Sequence, residues 1–395
     1  MEKLLVTPAV IAHKRVFLRA DLNVPLALAG ASIVDDHRLQ ALVPTLRLLV
    51  QNAACVVIAT HLGKPDPSQP DEALSTKHLL PWLKKNHFTV SFATSPAHAR
   101  ALIARGDSLI LLENLRFFKG EQEPSTTFAA ELATLADVYV NDAFGTLHRS
   151  DASIALLPLY FPREKRFYGY CIAQEIKALT ALRKAPGKPF VALIGGNKIA
   201  TKLPLIEQLI TAPPTARVTQ VLLGGLLGLD LESSAPDLPK LAREKGVSLL
   251  KPVDYLKSAP ALPPLTGRRS GLKPCISTSS GGAKSVSYPI DIGPQTIALF
   301  TPCLAKAQTI FANGTMGKYE EKAGQAGTNA MLAIIGNNAG FTVIGGGDCG
   351  AAAAQCGVAE KVSFVSTGGG ATLAFIASNE PWHDLPGLKA LITEA

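Results

Sequence analysis

Several things are scarce in this 395-residue chain, and each scarcity narrows its class. No apolar run approaches the ~20 residues that cross a bilayer. The N-terminus, MEKLLVTPAVIAHKRV, has no basic segment followed by an apolar core and a small-residue cleavage site, so no secretory signal is expected. The six cysteines form no CxxC and no zinc spacing; they are expected as reduced, mostly buried thiols in a cytoplasmic protein. Aromatics are only 6% of residues, and no dense Lys/Arg run is interleaved with them. The net charge of +8 therefore points to small anions, with neither nucleic acid nor membrane as partner. There is no G-x-x-x-x-G-K-[ST], which excludes a P-loop. His61, His148 and the cysteines lack a third ligand at metal spacing, which argues against zinc.

What is present is an alternation of apolar strands and amphipathic helices, the signature of parallel sheets. RVFLRA (15–20) reads as a strand ending in Asp21-Leu22-Asn23-Val24-Pro25. Asp21 and Asn23 stand where α/β proteins gather ligands, or they form an Asx turn. Asp35-Asp36 opens the helix HRLQALVPTLRLLVQN, whose first turn carries Arg38, a cation that the macrodipole disfavours there. ACVVIAT (54–60) is a strand leading into His61-Leu62-Gly63-Lys64. Ser75–Lys85 reads as a helix, Phe88–Phe92 as a strand and Pro96–Ala104 as a helix. Ser108–Leu112 is a strand before Glu113-Asn114-Leu115-Arg116. Asp137–Val140 is a strand before Asn141 to Arg149. Parallel strand ends lie along one edge, so Arg38, Lys64, Arg116 and Arg149 should converge there with His61 on a multiply charged small anion.

A helix over Gln174–Lys184 and a break at Ala185–Pro189 mark the division between domains. The second half restarts with KPFVALIGGNKIATKL (188–203). It is expected as a strand, a glycine turn and a helix whose first turns carry Lys198 and Lys202. The pair is either a solvated basic helix start or a polyphosphate site. Pro213–Thr215 and Ala259–Gly267 read as proline-rich loops, and Pro294 starts a helix. Thr309–Ala312 ends in Asn313-Gly314-Thr315-Met316-Gly317-Lys318-Tyr319-Glu320. Phe341–Ile344 ends in Gly345-Gly346-Gly347-Asp348-Cys349-Gly350, and Val362–Val365 in Ser366-Thr367-Gly368-Gly369-Gly370. Glycines there bring backbone N–H groups against phosphates, Asp348 suits a nucleotide's Mg2+, and Glu320 suits ribose hydroxyls. Gly345–Gly350 also matches G-x-G-x-x-G, but VSFVST offers no acid at the next strand end, which argues against a nicotinamide dinucleotide. Two α/β lobes with a basic and a glycine-rich edge, closing on each other, would serve phosphoryl transfer.

In order, RADLNVPL, DDHRLQALVPTL, THLGKP, LLENLRF, ADVYVNDAFGTLHRSDAS, KPFVALIGGNKIATKL, DIGPQT, ANGTMGKYE, GGGDCGAAA and VSTGGGA resemble the phosphoglycerate kinases. The resemblance implies two Rossmann-like α/β lobes joined by a helix hinge, with the C-terminal segment returning to the first lobe. The expected spans are a 1–172 domain for 3-phosphoglycerate, a 173–189 linker, a 190–377 nucleotide domain and a 378–395 returning segment. It implies reversible Mg2+-dependent transfer between 1,3-bisphosphoglycerate and ADP, giving 3-phosphoglycerate and ATP, by a monomer. The acid would be held by Asp21, Leu22, Asn23, Arg38, His61, Leu62, Gly63, Lys64, Arg116 and Arg149. The nucleotide would lie near Lys198, Lys202, Asn313, Glu320, Gly345, Gly346, Gly347 and Asp348, with the metal on Asp348. Arg38, Lys202 and Gly369 would act on the transferring group.

The chain departs from the family pattern at Lys64 (usually Arg), Asp151 (often His), Asn197 (a small residue) and Thr201 (commonly Asp). It departs again at Thr315 (usually Pro), Lys318 (usually Val) and Cys349 (usually Thr). The departures around Asn313–Glu320 are what an alternative would rest on: a non-catalytic binding or regulatory protein on the same fold.

Overall fold

The computed structural model describes residues 2–27, 33–184, 186–197, 199–225, 227–258, 275–278 and 284–394. The chain divides into two compact units, Met1–Leu179 with Thr367–Ala395, and Thr180–Ser366. The first unit holds a six-stranded parallel sheet of β1 (Arg15–Ala20), β2 (Cys55–Ala59), β3 (Ser91–Ala93), β4 (Leu109–Leu112), β5 (Val138–Asp142) and β6 (Arg166–Tyr168). Its spatial order is β3-β4-β2-β1-β5-β6. The central strands are buried along their length, which is why they read as apolar runs without a polar face. The chain winds outward from β1 through β2, then returns to the other side of β1 as β5. That reversal leaves a crevice at the β1/β5 strand ends, where Ala20 pairs with Asp142.

The second unit repeats the plan. β7 (Phe190–Ile194), β8 (Gln220–Leu223) and β9 (Ser248–Leu250) run to one side. Two antiparallel pairs follow, β10 (Tyr255–Lys257) with β13 (Pro289–Ile292), and β11 (Cys275–Thr278) with β12 (Lys284–Ser287). β14 (Thr309–Asn313), β15 (Phe341–Gly345) and β16 (Phe364–Val365) complete the parallel order β16-β15-β14-β7-β8-β9. Here the reversal falls between β7 and β14, where Asn313 pairs with Ile194. No helix among the described residues is long and apolar enough to cross a membrane.

Several elements differ from the sequence expectation. Ser75–Lys85 is a 3-10 turn, Thr76–Leu79, followed by a short α-helix, Leu80–Lys85. Glu113 accepts from the Ser75 hydroxyl (2.7 Å) and the Thr76 N–H (2.9 Å), and Pro81 removes a donor from the next turn. The strand expected at Phe88–Phe92 forms at Ser91–Ala93. After β7 the α-helix begins only at Leu203, behind a 3-10 turn at Ile199–Thr201. Lys202 therefore stands at the N-cap position rather than inside the first turn. Pro204, which has no N–H, is tolerated there. The Ala259–Gly267 loop lies outside the described residues. The antiparallel pairs carry no strong period-2 pattern and were not expected.

β5 continues through Asn141 and Asp142, and the following helix starts at Tyr170, earlier than Gln174. Asp142 explains both. Its Oδ1 accepts from the Ile172 N–H at 3.0 Å, while the Tyr170 N–H donates to Thr45 Oγ1 at 2.8 Å. Gly169 is required beside it, since a Cβ would come within 2.3 Å of the Asp142 carboxyl. The chain rejoins the first unit at Thr367, whose N–H and hydroxyl donate to Glu175 Oε1 at 2.6 and 2.8 Å. Helix Gly369–Ala377 packs Phe375 against Phe144, at 6.3 Å between ring centroids. The return thus begins ahead of residue 378. Buried Arg166 then holds the last helix, Pro386–Ile392, by donating to the Ala390 and Thr393 carbonyls at 3.0 and 2.7 Å.

Burial pushes the Asp142 carboxyl up to about 7 from 3.8. The folded state then binds the proton more tightly than the unfolded chain. The stability this contributes is full below about pH 4 and is lost as pH rises through about 7. Asn carries no such proton. In thermal melts of Asp142→Asn beside the parent, the Tm difference should shift in the variant's favour from about pH 5 to about pH 8. A pH-independent difference would show that Asp142 does not titrate in that window.

Candidate active site

In the first unit the strand ends bring the expected basic residues together. Leu22 is fixed by its N–H to Thr60 Oγ1 (3.0 Å), and Asn23 accepts from the Gly63 N–H (2.8 Å), which ties the ends of β1 and β2. Arg38 reaches back from its helix to Asp21 Oδ1 (3.3 Å) and the Asn23 carbonyl (2.9 Å). Its unfavourable helix position is thus offset by acceptors of the neighbouring turn. Asn114 clamps Leu62 from both sides, accepting its N–H (3.2 Å) and donating to its carbonyl (2.7 Å). Arg116 donates to the Gly63 carbonyl at 2.6 Å. Gly145 stands against Asp21, where a Cβ would come within 2.3 Å of Oδ2.

The electrostatics of this edge are lopsided. Burial, then the charges of Arg19, Arg116, Arg149 and Arg38, hold His61 well below the ordinary histidine range, so its ring is neutral. Asp151 is the near carboxylate, with Oδ2 3.9 Å from Arg116 NH2. Nε and NH2 of Arg116 and Nε of Arg149 are buried without a hydrogen-bond partner among the described residues. A guanidinium cannot shed its proton to escape this, so these donors are placed for an anion. Lys64 is exposed at the rim. Gly369 also belongs to this unit. Its helix start lies beside the Asn141–Arg149 segment, with a Cβ on Gly368 reaching Phe144 at 2.5 Å and one on Gly370 reaching His148 at 3.0 Å.

The second unit has a pocket of about 160 Å³ at the β7/β14 reversal, lined by Gly196, Asn197, Gly225, Tyr255, Asp291, Thr315 to Lys318, Glu320 and Asp348. Backbone crossings shape it. Gly314 holds φ +83, and a Cβ there would meet the Gly195 carbonyl at 2.4 Å. Asn313 donates to the Gly345 carbonyl (2.7 Å) and accepts from Lys202 Nζ, so both strand ends are tied to the lysine. Burial lowers the Lys202 ammonium, and Cys349 and Asp348 oppose that. Asp348 lies in the first turn of helix Gly347–Gln355, which starts at the glycines and not at the alanine run. Cys349 is buried, and its thiol is pushed up to about 12, chiefly by burial. Of the departures, Thr315 bonds the Gly317 carbonyl at 2.9 Å, and Lys318 pairs with Glu321 at 3.4 Å rather than lining a core. Lys198 lies outside the described residues.

The expected residues thus fall into two groups, one per unit. Sequence reading missed Arg19, Glu121, Ser153, Thr60, Asn114 and Asp291 as parts of either edge. Arg19, a charged residue within an apolar strand, was the available signal.

A family model described as phosphoglycerate kinase matches residues 6–379. The chain is 35% identical to the phosphoglycerate kinase of Acidobacterium capsulatum, covering 99% of each chain. It is 36% identical to the chloroplastic phosphoglycerate kinase of Volvox carteri, over 96% of this chain and 83% of that one. Among solved structures, phosphoglycerate kinase from Coxiella burnetii superposes with a TM-score of 0.72 at 29% identity, covering 96% of both chains. That from Pyrococcus horikoshii gives 0.73 at 27%, also over 96% of both.

Gly314→Ala forces a side chain onto the Gly195 carbonyl in a left-handed conformation. It should cost about 2–3 kcal/mol and abolish the heat of ADP binding in calorimetry. Unchanged ADP binding would place the nucleotide elsewhere.

Proposed function

The chain belongs to the phosphoglycerate kinase family, and from that membership we propose how its two edges divide the work. The protein is a phosphotransferase that moves a phosphoryl group reversibly between 1,3-bisphosphoglycerate and ADP, giving 3-phosphoglycerate and ATP. The three-carbon acid binds the first unit through Asp21, Leu22, Asn23, Arg38, His61, Leu62, Gly63, Arg116 and Arg149, with Lys64 at the rim. The observation that supports this most directly is the set of buried guanidinium nitrogens on Arg116 and Arg149 that make no hydrogen bond among the described residues. A buried donor left unmade costs about 1–3 kcal/mol, and a phosphate or carboxylate would satisfy several at once.

Nucleotide binds the second unit against Gly195, Gly196, Asn313 and Gly345 to Gly347, with Glu320 toward ribose and Lys198 and Lys202 toward phosphate. Mg2+ fits this set. Three carboxylates, Asp291, Glu320 and Asp348, line the pocket, but no three His, Cys, Asp or Glu side chains among the described residues stand together so as to hold a metal ion by themselves. That suits an ion held largely by substrate phosphates. Bound there, Mg2+ would neutralise charge on the nucleotide's phosphate oxygens.

No side chain needs to form a covalent intermediate. Arg38 and Lys202 supply positive charge, and the Gly369 helix start supplies backbone N–H groups, to the phosphoryl group in flight. In-line transfer follows closure of the two units. We place the protein in the cytoplasm as a monomer with small-molecule partners only. The five cysteines whose side chains are described are free, as a reducing compartment leaves them.

A coupled assay with 3-phosphoglycerate, ATP and Mg2+ tests the activity. Ligand binding by calorimetry without turnover would instead indicate a binding protein on this fold. Lys202→Ala should lower kcat roughly 100-fold or more and change either KM far less, because the lysine acts on the transition state. Equal losses in kcat/KM through KM alone would make it a ground-state clamp.

A further inference from the structure

Beneath the basic edge lies a chain of buried polar groups that the binding residues do not account for. Arg19, in β1 and fully buried, donates Nε to Ser153 Oγ at 2.8 Å and NH1 to the Ala20 carbonyl at 2.5 Å. Its NH2 lies 3.4 Å from His61 Nδ1. Ser153 gives its hydroxyl proton to Glu121 Oε1 (2.6 Å) and its backbone N–H to Oε2 (2.9 Å). Glu121 is itself fully buried, and the Tyr139 hydroxyl donates to the Ser153 carbonyl at 2.9 Å. Every joint in this chain has one allowed direction. Ser153 has a single hydroxyl proton, committed to the carboxylate, so toward Arg19 it accepts. A guanidinium has donors and no acceptor, so toward His61 it donates.

The consequence falls on the imidazole. Nδ1 can meet Arg19 only as an acceptor, so the ring proton sits on Nε2. Protonating Nδ1 would set N–H against N–H in a site that already holds Arg38, Arg116 and Arg149 around the ring. We propose that Arg19, held by Ser153 and Glu121, is a positioning residue that fixes His61 as the neutral Nε2–H tautomer. The ring's remaining nitrogen is then a hydrogen-bond donor to the acid substrate. This rests on the reading that the basic edge holds that substrate. It adds a control on the state of His61 that none of the binding residues supplies. Burial of the ring acts in the same direction, disfavouring the imidazolium.

The test is a long-range 1H–15N correlation spectrum of the His61 ring in the full-length 15N-labelled protein, assigned by its loss in His61→Gln. The expected result is a protonated Nε2 and an unprotonated Nδ1 throughout about pH 5.5–8. An Nδ1–H tautomer, or a ring titrating near the ordinary histidine value, overturns the proposal whatever any variant does. Arg19→Met should release the ring to mixed tautomers, with burial and the remaining arginines still keeping it neutral. It should also raise KM for 3-phosphoglycerate about tenfold, with kcat changed less; Arg19→Lys should restore the tautomer in part. If Arg19→Met does not fold, Ser153→Ala tests the same chain from one bond further back, and a ring unaltered in both variants overturns the role given to Arg19. Adding 3-phosphoglycerate separates the two layers. If Nε2 does not shift on saturation while the tautomer is as expected, the substrate reading fails and the tautomer assignment stands.

Discussion

A guanidinium cannot be neutralised by losing a proton, and the first unit is arranged around that fact. Arg19, Arg116 and Arg166 are all buried there, each with a different solution. Arg19 is matched inside the protein by a hydroxyl, a carbonyl and an imidazole nitrogen, with Glu121 behind them. Arg166 is spent on the carbonyls of the last helix. Arg116 is matched only in part, by the Gly63 carbonyl and by Asp151 at 3.9 Å, and its Nε and NH2 make no hydrogen bond. The difference separates structure from function. Arg19 and Arg166 direct most of their donors to acceptors of the protein itself, while Arg116 makes one hydrogen bond and keeps two buried nitrogens for a ligand.

The second unit meets a different constraint. Three loops cross closely at the β7/β14 reversal, so side chains are excluded from Gly195, Gly314 and Gly225 by neighbouring backbone. What remains is a surface of peptide groups, with Lys202 and Asn313 at its base and the carboxylates Asp291, Glu320 and Asp348 in its walls. Asn313 is the pivot, bonded at once to the Lys202 ammonium and the Gly345 carbonyl. Of the departures from the family pattern, Asn197, Thr315 and Lys318 line this pocket, and the pivot Asn313 is not among them. Thr315 replaces a proline's rigidity with a local hydrogen bond to Gly317, so the loop is constrained by a different means.

The sheets and their ligand-bearing ends were legible because buried parallel strands are short apolar runs, and their ends carry glycine and charge. Arg116 and Arg149 are read that way, and Arg38 from its place in the first turn of a helix; the structure gathers all three around His61. What could not be read were dependencies that cross long stretches of chain. Asp142 was taken as part of a turn because nothing local says that it caps a helix at Ile172. Lys202 was placed within a helix because the 3-10 turn before it has the same local composition as an α-helical one. Ser153 and Glu121 looked ordinary; their importance comes from lying next to Arg19, over a hundred positions away along the chain. The antiparallel pair β10/β13 joins segments separated by the proline-rich stretch and carries no hairpin signal.

The return of the chain at Thr367 has a consequence for biosynthesis. The first unit to leave the ribosome is not the first that can be finished, because it includes Thr367–Ala395. Until those residues emerge, Glu175 lacks the Thr367 hydroxyl, Phe144 lacks Phe375, and Arg166 lacks two of its carbonyl acceptors. The second unit, Thr180–Ser366, is continuous in sequence and has its own core around Ile310, Phe300 and Leu332. It can consolidate while its predecessor waits with a buried-type arginine still solvated. Translation order and completion order are therefore opposed in this molecule, and the late-arriving helix Pro386–Ile392 acts as the closing piece of the part made first.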